Sequence, residues 1–293
     1  MLFRHHQLNK LLGLKIDVDT YEGMKKGVPS LLRILGDFGI KGTFFLSIGP
    51  DASGRAALNL LRNPLFLKKM VSSNAVGLYG LKTALYGTLL PSPLIALSFP
   101  RIVQDVISQG HEAQFHAWDH RRWQDDLSMH SKAWIREWFE RGMAGFQRLT
   151  GKPPTAFGAP AWLVDDRVME ILKDYPFSYL SCTRASAPFI HEDCRLVEIP
   201  CDLPCLEEVG RDRFIDTIVK LLEGGGLHAL PIHAEVEGGI RQGFFIELMK
   251  KVMDMGYSVV PLQSINDALP RETLPLRKHR MSTLPGRAAP CAV

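Results

Sequence analysis

Short apolar runs alternate with amphipathic helical patterns along most of this chain, and this alternation limits its possible folds more than any other feature. LGLKIDVD, which begins at residue 12, and KGTFFLSIG at 41–49 are typical of buried strands. Between them, GVPSLLRILGDFGI has leucines at helical spacing, and the glycine near its end is typical of the end of a helix. The alternation continues as far as YSVVPL at 257–262. It predicts an α/β fold on a largely parallel sheet, either open or closed into a barrel.

The chain has the composition of an ordinary globular protein. Its 293 residues are 46% hydrophobic and 23% charged, which excludes a disordered, collagen-like or coiled-coil chain. We expect one domain over residues 1–268, with an apolar insertion at about 57–100, and a basic, disordered tail over 269–293. The tail has five basic residues and one acid, so the rest of the chain carries no net charge. A neutral body argues against nucleic acid as a partner, because phosphate recognition needs a basic face on the fold itself.

The segment at 70–100 departs from the alternation, because Lys82 is its only charged residue. Glycines and prolines interrupt it, whereas a membrane-spanning helix needs roughly 20 continuous apolar residues. Two interpretations stay open: a buried insertion packed on the sheet, or an apolar surface that accepts a lipid or lies on a membrane.

The cysteines favour a reducing compartment. Five is an odd number in a long chain whose first residues lack a secretory signal pattern, so we expect free thiols. Cys201 and Cys205 are closely spaced, but no second Cys or His pair follows at the spacing of a structural zinc site.

Candidate catalytic groups lie at the ends of predicted strands. Asp17 and Asp19 are two residues apart at the end of the first strand, so strand alternation would direct both side chains to one face. His116 and His120 lie four apart at the end of another strand, a spacing that puts two imidazoles on one side of a helical turn. Active sites of α/β sheets and barrels lie at the carboxyl ends of the strands.

A third strand end carries His233, directly after the apolar run HALPI, with Glu235 and Glu237 following. A carboxylate and two imidazoles can hold a divalent ion and leave positions open for water, whose pKa falls toward about 7 on zinc. A second Asp beside the metal can accept the proton of the attacking water, and a separate His can protonate the leaving amine or alkoxide. The pattern therefore indicates metal-assisted hydrolysis of an amide or ester.

Other chemistries have less support. The sequence contains no GxSxG nucleophile elbow, no Walker-type phosphate loop and no GxGxxG after a strand. Glycoside hydrolysis by paired carboxylates would leave the two histidines of HAWDH without a role.

A resemblance to a known family extends from about residue 12 to 268. It rests on LKIDVDTYEGMKKGVPSLLRIL, SIGPDASGR, SNAVGLYG, HAWDHRRWQ, GAPAWLVDD and IHAEVEG. These motifs resemble the polysaccharide deacetylase superfamily (NodB homology, carbohydrate esterase family 4). SNAVGLYG and HAEVEG are similar to its branch of ArnD-like deformylases rather than to sugar deacetylases in general.

This resemblance implies a distorted (β/α)7-type NodB-homology barrel with an apolar insertion and a divalent metal at the strand ends. Asp19, His116 and His120 match the metal ligands of the family. Asp17 matches its catalytic base, and His233 matches the acid that protonates the leaving group. The metal is zinc, cobalt, manganese or nickel, which this ligand set does not distinguish. We expect substrate contacts from a further set of residues: Trp162, Glu235, Glu237 and Tyr79.

One motif departs from the family pattern. RxPxG is replaced by GAPAW, so Gly158 stands where an arginine is expected to orient the base. ArnD-like proteins also lack that arginine, and the sequence leaves open what orients Asp17 in its place.

The implied substrate is undecaprenyl phosphate carrying 4-deoxy-4-formamido-L-arabinose, cleaved to formate and the amino-arabinose lipid used in lipid A modification. That modification lowers the negative charge of lipid A and the uptake of cationic peptide antibiotics such as polymyxin. A polyprenyl-linked substrate implies peripheral contact with the membrane surface. The implied location is the cytoplasmic face of the bacterial inner membrane, or the cytoplasm.

Two other functions stay open. One is an N-deacetylase of another polyprenyl-linked sugar or glycan, because a hydrophobic pocket distinguishes formyl from acetyl by only about 1–3 kcal/mol. The other is a catalytically inactive barrel that binds a lipid or sugar, although the base, the metal ligands and the acid are all present.

Overall fold

The computed structural model describes residues 9–55 and 86–293. Tyr79 and most of the apolar insertion predicted at 57–100 lie outside the described residues. The strands of the described ranges are, in chain order, β1 (Lys10–Val18), β2 (Thr43–Ser47), β3 (Glu112–Ala117), β4 (Ala156–Phe157), β5 (Tyr179–Leu180), β6 (Phe189–His191), β7 (Val197–Glu198), β8 (Gly226–His233), β9 (Ser258–Val260), β10 (Leu276–Arg277), β11 (Met281–Ser282) and β12 (Cys291–Ala292).

Helices cover this sheet. In the same ranges they are α1 (Val28–Phe38), α2 (Pro100–Ser108), α3 (His120–Asp126), α4 (Lys132–Thr150), α5 (Asp166–Leu172), α6 (Leu206–Val209), α7 (Arg211–Leu222), α8 (Gln242–Asp254) and α9 (Leu262–Ala268). Their ends follow ordinary capping chemistry. The Ser131 hydroxyl accepts a hydrogen bond from the backbone N–H of Trp134 at the start of α4, and Gly151 ends that helix with φ of 77°. None of the described helices has the length and apolar character needed to cross a membrane.

One curled sheet contains most of the strands. Its order is β10, β6, β7, β5, β4, β3, β2, β1, β8, and β9 pairs with the amino-terminal half of β1. Among the described strands of this sheet, only β6 and β7 pair antiparallel. The mixed α/β architecture predicted from the alternation is confirmed. The β6 strand and the short helices α3, α6 and α9 were not predicted, because elements of this length carry no measurable period.

Strand β1 separates two apolar layers. Leu12, Leu14 and Ile16 belong to the large cluster that the sheet shares with its surrounding helices. The residues between them face the inside of the curl, where α9 closes the amino-terminal end. A side-chain carbon on Gly13 would lie 2.5 Å from Leu262 Cδ2, so the glycine permits this close approach of α9. The inward-facing residues of β1 therefore extend from the contact with α9 to the carboxyl end of the strand.

The carboxyl-terminal segment corrects the prediction of a disordered tail over 269–293. β10 pairs with β6, and β11 pairs with β12. Cys291 is fully buried in a small cluster with Trp162 and Cys201. The prediction was wrong because composition records the charges of the segment but not the apolar surface that its Leu284, Cys291 and Val293 cover. All five cysteines are free and buried, as expected for a reduced chain.

Arg287 holds this segment to the body. Its guanidinium donates hydrogen bonds to Glu208 Oε1 at 3.0 Å and to the carbonyl oxygen of Ala161 at 2.9 Å. It also lies 4.8 Å from the centre of the Trp162 ring. The carboxyl-terminal segment therefore packs on the turn that contains Ala161 and Trp162.

We predict that Arg287→Ala lowers the free energy of unfolding by about 1–3 kcal/mol, because the carbonyl of Ala161 loses its buried donor. Lys278→Ala is the matched control in the same segment. Its amine pairs with the exposed Asp166 at 2.9 Å, and such surface pairs contribute about 0–1 kcal/mol. Chemical denaturation measures both variants, and equal effects would show that Arg287 does not brace the fold.

Candidate metal centre and active site

The parallel register of β1 with its neighbours gathers the predicted residues at one edge of the sheet. Asp17 pairs in register with His233 on β8 and with Phe45 on β2. Asp19 follows the end of β1, and His116 lies on β3, beside β2. Because these strands are parallel, their carboxyl ends meet at the edge where active sites of α/β proteins lie.

His120 reaches the site from the first residue of α3. The Asp119 carboxylate caps this helix by accepting a hydrogen bond from the backbone N–H of Arg122 at 2.9 Å. The helix therefore begins at His120, and the rings of His120 and His116 lie with their centroids 5.2 Å apart.

Asp19, His116 and His120 form a compact set of donor atoms. Asp19 Oδ1 lies 3.1 Å from His116 Nε2, and Asp19 Oδ2 lies 3.4 Å from His120 Nε2. One ligand atom of each residue lies within 4.8 Å of the other two, which is a spacing that could hold a metal ion. The structure thus brings the three predicted ligands together.

The hydrogen bonding of His116 fits a cation at this point. His116 Nδ1 lies 2.7 Å from the carbonyl oxygen of Gly158, and a carbonyl only accepts, so Nδ1 carries the hydrogen. In the neutral imidazole, Nε2 then presents a lone pair toward Asp19 Oδ1. Both atoms are buried without a hydrogen-bond partner. Two facing acceptors in a buried site are satisfied by a shared cation, and one carboxylate with two imidazoles suits zinc and its first-row neighbours.

The electrostatics of the cluster favour the ligating forms of these side chains. Burial raises the pKa of Asp19, but its interactions with His120 and His116 outweigh burial and hold the pKa well below its usual range. Burial lowers the pKa of His120 to about 4, although Asp19 opposes this change. At neutral pH the site therefore offers a carboxylate and a neutral imidazole, the forms that bind metal.

His233 has a charged partner that the sequence analysis did not identify. Its Nδ1 lies 3.1 Å from Oε1 of Glu207 on α6. Burial lowers the pKa of His233, but the attraction of Glu207 outweighs burial and raises the pKa well above its usual value. Burial raises the pKa of Glu207, and His233 more than reverses this effect. The two groups form an imidazolium and carboxylate pair, and a protonated His233 can donate a proton.

Glu235 and Glu237 lie beside this pair and are almost fully buried. Glu237 Oε2 accepts a hydrogen bond from the backbone N–H of His233 at 2.8 Å. Burial raises the pKa of Glu237 to about 8 and that of Glu235 well above its usual value. Both oxygens of Glu235 and Oε1 of Glu237 are buried without a partner. The two side chains are suited to hydrogen bonding with a ligand, and their contact with substrate stays a prediction.

Trp162 lies behind the site rather than open to solvent. It is 4% exposed, and it follows Ala161 in a turn where both residues have positive φ, 53° and 54°. The guanidinium groups of Arg184 and Arg287 each lie 4.8 Å from the centre of its ring. Trp162 is thus a packed support, and its direct contact with substrate stays a prediction.

Asp17 contacts a second residue that the sequence analysis did not identify. Lys15 Nζ lies 2.5 Å from Asp17 Oδ1 and also bonds to Oδ2. The lysine is fully buried. A signal was present in the sequence, because a lysine within the apolar run of β1 needs a buried partner for its charge.

A curled, largely parallel sheet with an Asp, His, His donor group at its strand ends defines the class of this protein. The chain belongs to the polysaccharide deacetylase family, whose model matches residues 9–180. This finding confirms the family resemblance read from the motifs.

Particular relatives carry more specific names. The chain is 37% identical to a protein of Shewanella sediminis named "Probable 4-deoxy-4-formamido-L-arabinose-phosphoundecaprenol deformylase ArnD", over 87% of this chain and 86% of the relative. A protein of Wigglesworthia glossinidia brevipalpis with the same name is 32% identical over 90% of this chain and 96% of its own length.

Solved structures support the fold. A Mycobacterium smegmatis protein assigned to the polysaccharide deacetylases superposes with a TM-score of 0.65 at 20% identity, over 94% of this chain and 96% of that chain. At this identity the likeness concerns the fold, and it confirms the predicted NodB-type architecture.

We predict that Asp19→Asn weakens binding of Zn²⁺ or Co²⁺ at least about 100-fold, beyond the 10–100-fold typical of outer-shell partners. Asp166→Asn is the control, because Asp166, Asp193 and His279 also form a group that could hold a metal ion. Asp166 is largely exposed and already paired with Lys278. Calorimetric titration of metal-free protein measures both variants. If only Asp166→Asn lost tight metal binding, the tight site would lie at Asp166, Asp193 and His279 instead.

Proposed function

We propose that this protein removes the formyl group from undecaprenyl phosphate-4-deoxy-4-formamido-L-arabinose, releasing formate and the amino-arabinose lipid. One observation carries the proposal: relatives named as this deformylase match nearly the whole chain at 37% and 32% identity. The geometry agrees with it, since a potential metal group, a carboxylate and a protonated imidazole meet at one sheet edge.

Asp19, His116 and His120 would hold the divalent ion. When bound there, such an ion supplies a Lewis acid for the carbonyl and favours deprotonation of water. His116 is prepared for this role by its hydrogen bond to Gly158, which directs Nε2 toward the ion.

Asp17 and His233 divide the proton transfers between them. Asp17 accepts the proton of the water that attacks the formyl carbon. His233 donates a proton to the sugar nitrogen as the C–N bond breaks, so that an amine leaves instead of an amide anion. Glu207 stabilises the protonated form of His233 through their 3.1 Å contact. Register on adjacent strands keeps the base and the acid beside each other.

Formate release tests this proposal. We predict that metal-loaded wild-type protein produces formate from the formamido-arabinose lipid and that chelation abolishes it. In His233→Ala the rate should fall about 10²–10⁴-fold, which is the usual contribution of a general acid. Asp166→Asn, at the exposed acidic group remote in sequence, is the control and should retain wild-type turnover.

The same assay separates the alternatives. Acetate release from an N-acetyl sugar lipid, with no formate from the formamido lipid, would replace the substrate and keep the reaction class. Binding of the sugar lipid with no product of either kind would instead identify a binding protein.

A lipid-linked substrate also requires a surface that meets the bilayer. We place this surface at the described end of the apolar insertion, on the cytoplasmic face of the bacterial inner membrane. Leu89 is 82% exposed there, and Leu90 and Leu94 are 39% and 40% exposed. Clusters of exposed apolar side chains on a soluble fold mark membrane or partner contacts. The product amine, which is cationic at neutral pH, would then serve lipid A modification and resistance to polymyxin.

We predict that changing these three leucines to serine reduces flotation with liposomes that contain anionic phospholipid and undecaprenyl phosphate by at least about threefold. The expected loss follows from removing apolar area at roughly 25 cal/mol per Å². A matched triple serine variant changes leucine or methionine residues of similar exposure elsewhere: Met129, Met253 and Leu221. Equal flotation of the two triple variants would show that the insertion is not the membrane-facing surface.

A further inference from the structure

A fully buried lysine occupies the centre of the proposed active site. Lys15 projects from the inward face of β1, two residues before Asp17, and its amine bonds to both carboxylate oxygens of Asp17. The same amine lies 5.0 Å from the centre of the Phe45 ring and 5.4 Å from the centre of the Trp162 ring. Two aromatic faces and one carboxylate therefore surround the charge.

Stability does not explain this pair. Burying two charges costs several kcal/mol per ion, and their attraction seldom repays more than that cost. An apolar residue at position 15 would suit the rest of β1, whose neighbouring residues Leu14 and Ile16 are fully buried. Burial lowers the pKa of Lys15, but Asp17 outweighs burial, so the amine keeps its charge. A costly buried charge beside a catalytic group indicates a role in the site.

The space around Gly158 shows how the lysine reaches Asp17. A side-chain carbon on Gly158 would lie 2.8 Å from Phe45 Cδ1 and 3.1 Å from Lys15 Cε. Any side chain at position 158 would thus compete with the lysine for the same volume. Gly158 is also the residue whose carbonyl orients His116. Lys15 can therefore occupy this volume because Gly158 has no side chain.

We propose that Lys15 is the positioning residue of Asp17, supplying from β1 the cation that an arginine at position 158 would otherwise supply. This inference rests on the proposed function, in which Asp17 is the base. The amine binds both oxygens of Asp17, which fixes the rotation of the carboxylate toward the reacting water. Lys15 is itself held in place, because the Trp162 ring beside it packs against the guanidinium groups of Arg184 and Arg287.

Lys15→Met tests the proposal, since methionine keeps the length of the side chain and removes its charge. A misplaced base costs about 10²-fold in rate, so we expect kcat for formate release to fall about 100-fold. KM and the affinity for Zn²⁺ should stay within about threefold, because neither the sugar nor the ion is held by Lys15. A kcat within threefold of wild type, or a loss of metal binding that accounts for the loss of rate, would overturn the proposal.

Moving the cation from position 15 to position 158 provides the second test. Lys15→Ala removes one of the two side chains that Gly158→Arg would meet, Phe45 being the other, and the double variant restores a buried cation. We expect the double variant to turn over within about 30-fold of wild type and at least tenfold faster than Lys15→Ala where that variant folds. A Lys15→Ala variant as fast as wild type would show that Asp17 does not need the cation, and a double variant no faster than Lys15→Ala would show that a cation at position 158 does not replace Lys15.

A structural measurement separates this inference from the proposed function. In crystal structures of Zn²⁺-loaded Lys15→Ala, or Lys15→Met, the Asp17 carboxylate should be rotated or displaced, and Gly158→Arg should return it. This result would support the positioning role even if wild-type protein released no formate, which would refute only the proposed substrate. An Asp17 carboxylate that stays in its wild-type position without Lys15 would overturn the positioning role whatever the activity.

Discussion

Two carboxylates, Asp17 buried and Asp19 half-buried, lie two residues apart at the end of β1 and are the constraint on which the rest of the site depends. Two neighbouring carboxylates at a largely buried strand end need positive groups close to them. Lys15 compensates the first, and His116 and His120 surround the second. The protonated His233, itself held by Glu207, adds a further positive charge. A metal ion would complete this balance, since the acceptor atoms of Asp19 and His116 face each other without a hydrogen-bond partner.

Support for this arrangement comes from a segment that the family model does not include. The match to the family ends at residue 180. The turn at Ala161 and Trp162 is held by Arg184 and by Arg287, which both follow that residue in the chain. Both turn residues have positive φ, which costs free energy for residues with a side chain. The contacts with Arg184 and Arg287 maintain this turn. The turn places the ring of Trp162 against Lys15. The carboxyl-terminal segment is therefore part of the architecture of the site.

Lys15 bonds both oxygens of Asp17 and lies next to Gly158, which has no side chain. What matters to a carboxylate is the position of the cation and the polarity around it, not the strand that supplies it. Here the cation comes from the same strand as the carboxylate, which leaves position 158 free of a side chain. The backbone carbonyl of Gly158 also contributes to the site, because it accepts the hydrogen bond of His116.

Much of this protein could be predicted from its sequence, because strands and helices leave periodic patterns and parallel strands end at one edge. That reasoning identified the α/β architecture and selected Asp17, Asp19, His116, His120 and His233, whose roles as ligands, base and acid stay predictions. Tertiary structure alone decided the partners of these residues. Glu207 meets His233 only because the folded chain brings the start of α6 to the end of β8, and the carboxyl-terminal segment is ordered only because an apolar surface beside Trp162 receives it. Local sequence determines which groups are present and which face they occupy. The contacts that set their charge and orientation join distant parts of the chain, and only the folded chain brings those parts within a few ångströms.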